Sequence, residues 1–473
     1  MSGPLTAPAR RRSLQRLPAE WFFAAAFAAV GVWVYLRTPI QWTPFDAAFY
    51  RALALAFGSG FVVMIAIAYG ASLLRNVPAA DRRTCAWTAS ALALLATLAL
   101  FLLIHTSGPA HNRVLEAAAL STTFVTLGLT IFLPVAGLVQ PRDVARALTQ
   151  TLSLWAPFLA YHVFAGFCLT ANRLATPLVW DPVLLRMDLS LGFNASQIAH
   201  AWHYHAPWIR PFSYIGYALL GLMIALIIAR LQIARAWAHA RRAILASFLV
   251  GVLGLGCYQL VPAIGPLYAF PALYRDLDAP FHRFEAGIAL EEALTGPDRV
   301  RLAPRQLRNA MPSLHTAWAL VSLASAWHWR RRFFWWCLPL GFLQIATTLT
   351  LGYHYVVDLL AAVPFAVFCW WIADRGIRLT PRPGDDPLPA TVSNRWLPLY
   401  LLVSVGTLLT WAALAPVSPW IAWPLAILVV AAPCYPALKG FCATRLPRER
   451  PLTSPTPTAV SPTPLPSPDS PPA

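Results

Sequence analysis

Charge is scarce in this sequence. Charged side chains make up 12% of the 473 residues, against about 25% in ordinary soluble domains. Together with a hydrophobic content of 58%, this points away from a soluble globule and toward a multi-span membrane protein. Lysine is nearly missing: the cations are 35 arginines and the single Lys439. These arginines punctuate apolar runs instead of gathering in one basic domain. The net charge of +17 therefore does not describe a nucleic-acid binder. Alternating segments of about ten residues, the mark of a membrane β-barrel, are lacking. The seven cysteines show no CxxC or zinc-type spacing, and most fall inside apolar runs, where a thiol packs as a small hydrophobe. No internal repeat and no soluble domain stand out, nor do the paired halves with broken helices common in transporters.

What the chain does have is a series of continuously apolar runs near the length that spans a bilayer as a helix. The reading is an all-α, polytopic integral membrane protein with about twelve spans: 21–36, 52–74, 84–106, 114–139, 148–170, 211–231, 243–263, 312–329, 333–351, 353–374, 396–415 and 419–436. With the N-terminus inside, most of the 36 cations fall on the inner side, as the positive-inside rule requires. Both termini are thus expected in the cytoplasm. The first apolar run, after "PARRRSLQRL", lacks a small-residue cleavage site and reads as an uncleaved span. Residues 1–20 form a basic cytoplasmic start, and the Pro/Ser/Thr-rich tail within 441–473 is expected to be disordered. Two long segments face outward. Residues 171–210 read as an amphipathic stretch lying at the membrane surface. Residues 264–311 form a charged loop of a length that usually carries function or disorder.

The residues that do not fit a lipid environment lie between Pro312 and Trp371: His315, His328, His354 and Asp358. A carboxylate in a membrane helix costs roughly 2.5–3.5 kcal/mol at mid-bilayer, so Asp358 needs a purpose. His328 adjoins Arg330, Arg331 and Arg332 and reads as interfacial. His315 opens one span. The chain then turns at "WRRRF" and returns to His354 along a limb of matched length. Both histidines are therefore expected at one membrane face. His354 and Asp358 are spaced i, i+4, which predicts one helix face and a hydrogen bond that fixes the imidazole tautomer. An imidazole so held can act as nucleophile or base. Pro312 is expected at the first helical position, with the free amides of that helix start forming an anion site beside His315. Two competing readings are a polar bridge between helices and a two-His, one-carboxylate metal site. The second lacks further Asp, Glu or Cys within the hairpin.

Pro312-Ser313-Leu314-His315 followed by His354-x3-Asp358 resembles the paired motifs of the type 2 phosphatidic acid phosphatase superfamily. The likeness is strongest to its inositolphosphotransferase branch, which contains fungal inositol phosphorylceramide synthase. "YQLVPAIGPLY" at 258–268 is similar to that branch's proline-rich first motif. The resemblance implies a six-helix catalytic core over 145–376, with added spans in 21–144 and 377–440. It implies His354 as the nucleophile that becomes phosphohistidine, Asp358 as its orienting partner, His315 as the acid for the leaving group, and Ser313 on the phosphate. No metal and no cofactor are implied. The family's lysine motif is absent, and Thr348 stands where the family has an arginine. A phosphoryl transition state needs positive charge; Arg308 and Arg305 are the first candidates, with Arg173 and Arg210 behind them. The expected partners are a lipid phosphate and the membrane, with the site on the extracytoplasmic face. The expected reaction is phosphotransfer to a hydroxyl acceptor, the alternatives being a lipid phosphate phosphatase or a lipid-phosphate carrier without chemistry. Nothing in the sequence sets an oligomeric state.

Overall fold

In the computed structural model, residues 175–274, 287–302, 307–381 and 396–443 are described, together with isolated positions at 161, 165, 169, 172, 385, 386 and 388. The first four expected spans, all but three positions of the fifth, the basic start, the tail beyond residue 443, Arg173 and Arg305 lie outside the described residues.

The architecture is mostly helical. The elements are α1 (Asp181–Ser190), α2 (Ala195–His205), α3 (Ile209–Ala218), α4 (Leu220–Ile233), α5 (Trp237–Leu260), α6 (Pro266–Ala269), α7 (Leu290–Thr295), α8 (Leu314–Trp329), α9 (Arg331–Thr350), α10 (Val356–Leu379), α11 (Leu397–Leu414) and α12 (Pro419–Ala443). One feature departs from the all-α expectation: β1 (Leu178–Val179) pairs antiparallel with β2 (Val300–Arg301). Among the described residues, four helices, α5, α9, α10 and α11, are long and apolar enough to cross a membrane. The expected span 211–231 is divided at Leu219 into α3 and α4.

α5, α8 and α10 pack on one another and form the centre of the bundle, with α4 against α5 and α8, and α9 against α8. The interface is built from small residues on α8 and α10, including Ala317, Ala362, Ala366 and Ala373, packed among Ile244, Phe248 and Val321. Small side chains let membrane helices approach closely. Gly254 shows how closely: a Cβ there would meet the Leu314 side chain at 2.2 Å. Around this core, α9 leaves Trp335, Trp336 and Phe342 exposed, as a lipid-facing surface would. α11 pairs with α12, and α12 lies on α10.

α1 is where the sequence reading needs correction. Residues 181–190 do not form an amphipathic helix with an exposed face; nine of the ten are buried. The helix is wedged into a second apolar cluster with Phe270, Tyr355, Val357, Ala361 and Trp411. Its far end is pinned by two indoles, Trp411 Nε1 donating to Ser190 Oγ at 2.9 Å and Trp423 Nε1 donating to the Leu191 carbonyl at 3.1 Å. The amphipathic reading fits α2 instead, which buries Ser196, His200 and His203 while exposing Ile198 and Trp202.

Candidate active site

α8 and α9 are joined through Arg330 alone, so α9 returns the chain from His328 toward the end where α8 began. The loop 351–355 then delivers His354 beside the start of α8. Ser313 is the N-cap of α8: its Oγ accepts from Thr316 N–H at 3.4 Å and from Thr316 Oγ1–H at 3.1 Å. Pro312 therefore precedes the cap and is not the first helical residue, because the Ser313 side chain fixes the helix start two residues later, at Leu314. The Ser313 amide donates to the Asp358 carbonyl at 3.1 Å. With Thr316 capped and Ala317 bonded back to the Ser313 carbonyl, the amides of Leu314 and His315 are the donors left over in the first turn.

His354 and Asp358 come together, but not as two residues on one helix face. Asp358 is the third residue of α10, and its Oδ2 accepts from the Tyr355 amide at 2.9 Å. This reverse cap starts the helix after Tyr355 and leaves His354 just outside it. The His354 Nδ1 lies 3.0 Å from the Ala310 carbonyl and 3.3 Å from Asp358 Oδ2. A carbonyl only accepts, so Nδ1 carries the hydrogen and Nε2 keeps its lone pair. The Ala310 carbonyl is the shorter contact, a partner that the residue spacing did not reveal. Asp358 is fully buried, and its Oδ1 has no hydrogen-bond partner among the described residues.

His315 occupies the first turn of α8. Its ring stacks on Tyr217 with centroids 4.0 Å apart and meets Trp318 edge-on at 6.2 Å. Tyr217 also makes an edge contact with Tyr353, the residue before His354, at 5.4 Å. One aromatic ring from α3 thus bridges the two histidine-bearing segments, and His354 lies within electrostatic reach of His315. His328 sits at the opposite end of α8, stacked on Trp370, away from this group.

The arginines are placed differently from one another. Arg308 is fully buried, and its guanidinium donates to the carbonyls of Thr176 and Leu302 at 3.4 and 3.1 Å. In this arrangement it ties Leu302 to Thr176. Arg210 donates to the carbonyls of His203 and Tyr204 and lies over the Tyr204 ring.

Two carboxylates that the sequence reading passed over complete the site. Asp188 Oδ2 and Oδ1 accept from the Val356 and Val357 amides at 2.8 and 3.0 Å. Asp181 accepts from the Ile264 and Gly265 amides, both at 3.0 Å, and from the Tyr355 hydroxyl at 2.9 Å. Both are fully buried. Burial pushes each carboxyl up to about 7, although the bonds from amides and the phenol hydroxyl pull the other way. The available signal was "WDPVLLRMD": acids seven residues apart fall on one face of a helix, and there they had no evident cation to meet.

The 261–268 segment lies against the same turn. The Leu267 amide donates to the Gly352 carbonyl at 2.9 Å. Gly265 has φ +88°, and a Cβ on it would stand 2.3 Å from the Tyr353 carbonyl oxygen. Only glycine permits that approach.

With this geometry in hand, comparison with known proteins gives one match. Residues 182–372 fit the model of the PAP2 superfamily. The match opens one residue into α1 and closes inside α10, so it takes in Asp188, Ser313, His315, His354 and Asp358 and leaves α11 and α12 outside. No curated protein and no solved structure matches the chain. The match is what a lipid phosphoesterase of the phosphatase type would give, and it does not divide hydrolysis from transfer.

Proposed function

We propose that this chain is an integral-membrane enzyme that cleaves a lipid phosphoester through His354. The observation that carries the reading is the His354 ring itself: Nδ1–H is committed to the Ala310 carbonyl and Asp358, which leaves Nε2 as a nucleophile beside the start of α8. In the first step Nε2 attacks phosphorus and the bond to the leaving oxygen breaks. His315 gives that oxygen a proton. Asp358 faces Nδ1–H and stabilises the positive charge that the ring acquires as the N–P bond forms. In the second step a hydroxyl attacks the phosphohistidine, its proton passes to His315, and the P–N bond breaks. The Leu314 and His315 amides with Ser313 bind phosphate oxygens at the helix start. Arg308 and Arg305 supply positive potential.

The acceptor in this reading is the hydroxyl of a lipid or polyol, as in an inositolphosphotransferase. With water in its place the same site is a lipid phosphate phosphatase. Both termini lie in the cytoplasm and the site faces outward, a placement supported by the alternation of arginines between spans. The test uses purified protein and a lipid substrate labelled in its phosphate. An acid-labile, base-stable label recovered on the peptide carrying His354 is the expected result, and failure to trap it while product forms would remove the nucleophile assignment. Release of free phosphate with no acceptor present would decide for hydrolysis.

A further inference from the structure

The reading of His354 as nucleophile leaves open what holds its turn in place, and the described contacts converge on α1. Tyr355, the N-cap residue of α10, makes no side-chain bond to its own helix start; its hydroxyl is turned to Asp181. Asp358 caps the Tyr355 amide, and the next two amides are met from a distance. Asp188 meets the first two amides of α10 with one oxygen each, so it fixes both the direction of the helix and its first turn. This leaves Asp358 Oδ2 committed to the Tyr355 amide and the His354 ring.

Asp181 reaches the same ring by a second path. It grips the Ile264 and Gly265 amides. The adjoining Ala263 carbonyl accepts from the Ala310 amide at 3.0 Å. The Ala310 carbonyl is in turn the nearest acceptor of His354 Nδ1. The segment held by Asp181 therefore sets where that carbonyl stands. A further bond, from the Trp180 amide to the Pro262 carbonyl at 2.9 Å, locks the start of α1 to the same segment.

We propose that Asp181 and Asp188 are positioning residues for the phosphoryl-transfer step, forming a two-carboxylate clamp on α1 that aims His354 Nε2. The inference rests on the reading of His354 as the nucleophile. Neither residue touches the reacting atoms; each acts through the backbone that carries the ring. The clamp specifies orientation, so its loss lowers the rate of the chemical step and leaves substrate binding nearly intact. A misplacement of about 1 Å in a reacting group can cost about 10²-fold in rate. Asparagine keeps one acceptor of the two and alanine keeps none, so the loss should grade from Asp188→Asn to Asp188→Ala.

The experiment compares Asp188→Asn, Asp188→Ala, Asp181→Asn, Arg242→Met and His354→Ala in the purified full chain. Turnover of dioctanoylphosphatidate is measured alongside site-resolved reaction of each histidine with diethyl pyrocarbonate. The clamp variants are expected to lose roughly tenfold or more in kcat with KM within about threefold. The reaction rate of His354 should shift while that of His328, at the other end of α8, does not. Wild-type kcat in a folded Asp188→Ala chain would overturn the clamp. So would an equal rise in the reactivity of His328, since that marks general loosening. Full turnover by His354→Ala would instead sink the nucleophile reading. If Asp188→Ala does not accumulate, the two asparagine variants carry the comparison. If the probe is not turned over by the wild type, the histidine reactivities decide it.

Discussion

The two ends of the central bundle treat buried carboxylates in opposite ways. At one end, Asp374 of α10 is bridged by Arg242 at 2.7 Å and Arg378 at 2.7 Å. Arg241 pairs with Asp385 at 2.5 Å. His239 bonds to Arg242 at 2.9 Å and lies 3.5 Å from Asp386. At the other end, Asp181, Asp188 and Asp358 are held by backbone amides, one phenol hydroxyl and one imidazole. The first arrangement neutralises charge and fastens helices. The second fixes geometry and leaves the region without a guanidinium on its carboxylates among the described residues. A reacting phosphate supplies negative charge of its own, so an end that carries out phosphoryl transfer cannot place guanidinium groups on its carboxylates without withdrawing them from the substrate. On the proposed function, the difference separates a structural lock from a reaction centre.

Mutations should break the two ends in different currencies. The largest effect is expected from His354→Ala, which should lower turnover by about 10³-fold or more with the protein still folded, read from kcat and a thermal melt. Removing the proposed acid, His315→Ala, should cost about 10²-fold, and less with a substrate whose leaving group needs no proton. At the opposite end, Asp374→Asn leaves the fully buried Arg242 without its charge partner and should destabilise the fold by about 3–5 kcal/mol. Turnover per folded molecule should stay unchanged. A smaller effect, about 1 kcal/mol at most, is expected from Arg378→Ala, since Arg378 is 34% exposed. A reversal of these last two would mean that burial is not what gives the lock its strength.

The comparison can also be sharpened by pH. Folding raises the Asp181 and Asp188 carboxyls to about 7 through burial, while the unfolded chain releases these protons near pH 4. Between those values the folded state binds more protons, so stability falls as pH rises from about 4 to about 7. The double variant Asp181→Asn, Asp188→Asn should show a flatter dependence of melting temperature over this window. An unchanged slope would show that neither group titrates on unfolding.

The sequence carried the bundle further than it carried the site. The helices after residue 236 were legible because apolar length is a local property: α10 begins at Val356 against an expected 353, while α5 begins six residues earlier and α12 ends seven residues later than expected, and α8 is not among the helices long and apolar enough to cross a membrane. The hairpin that returns His354 to the His315 end was legible for the same reason. The wedge of α1 was not. Its burial depends on Val357, Phe270 and Trp411, residues far along the chain that no local periodicity can see. The Ala310 carbonyl was invisible in principle, since every residue carries one and only the fold selects which meets His354. Asp188 was legible as an acid out of place, but its use required knowing that it is the acceptor for the Val356 and Val357 amides.

That borrowed cap has a consequence for the order of biosynthesis. Asp188 leaves the ribosome 168 residues before the Val356 amide that it will hold. At about 5–20 residues per second, the acid waits roughly ten to thirty seconds for its donors. During that interval α1 can be held through Asp181 at the Ile264 and Gly265 amides, while its Asp188 end waits for α10. On the proposed function, a nascent chain would therefore lack an aimed His354 until α10 has threaded into place.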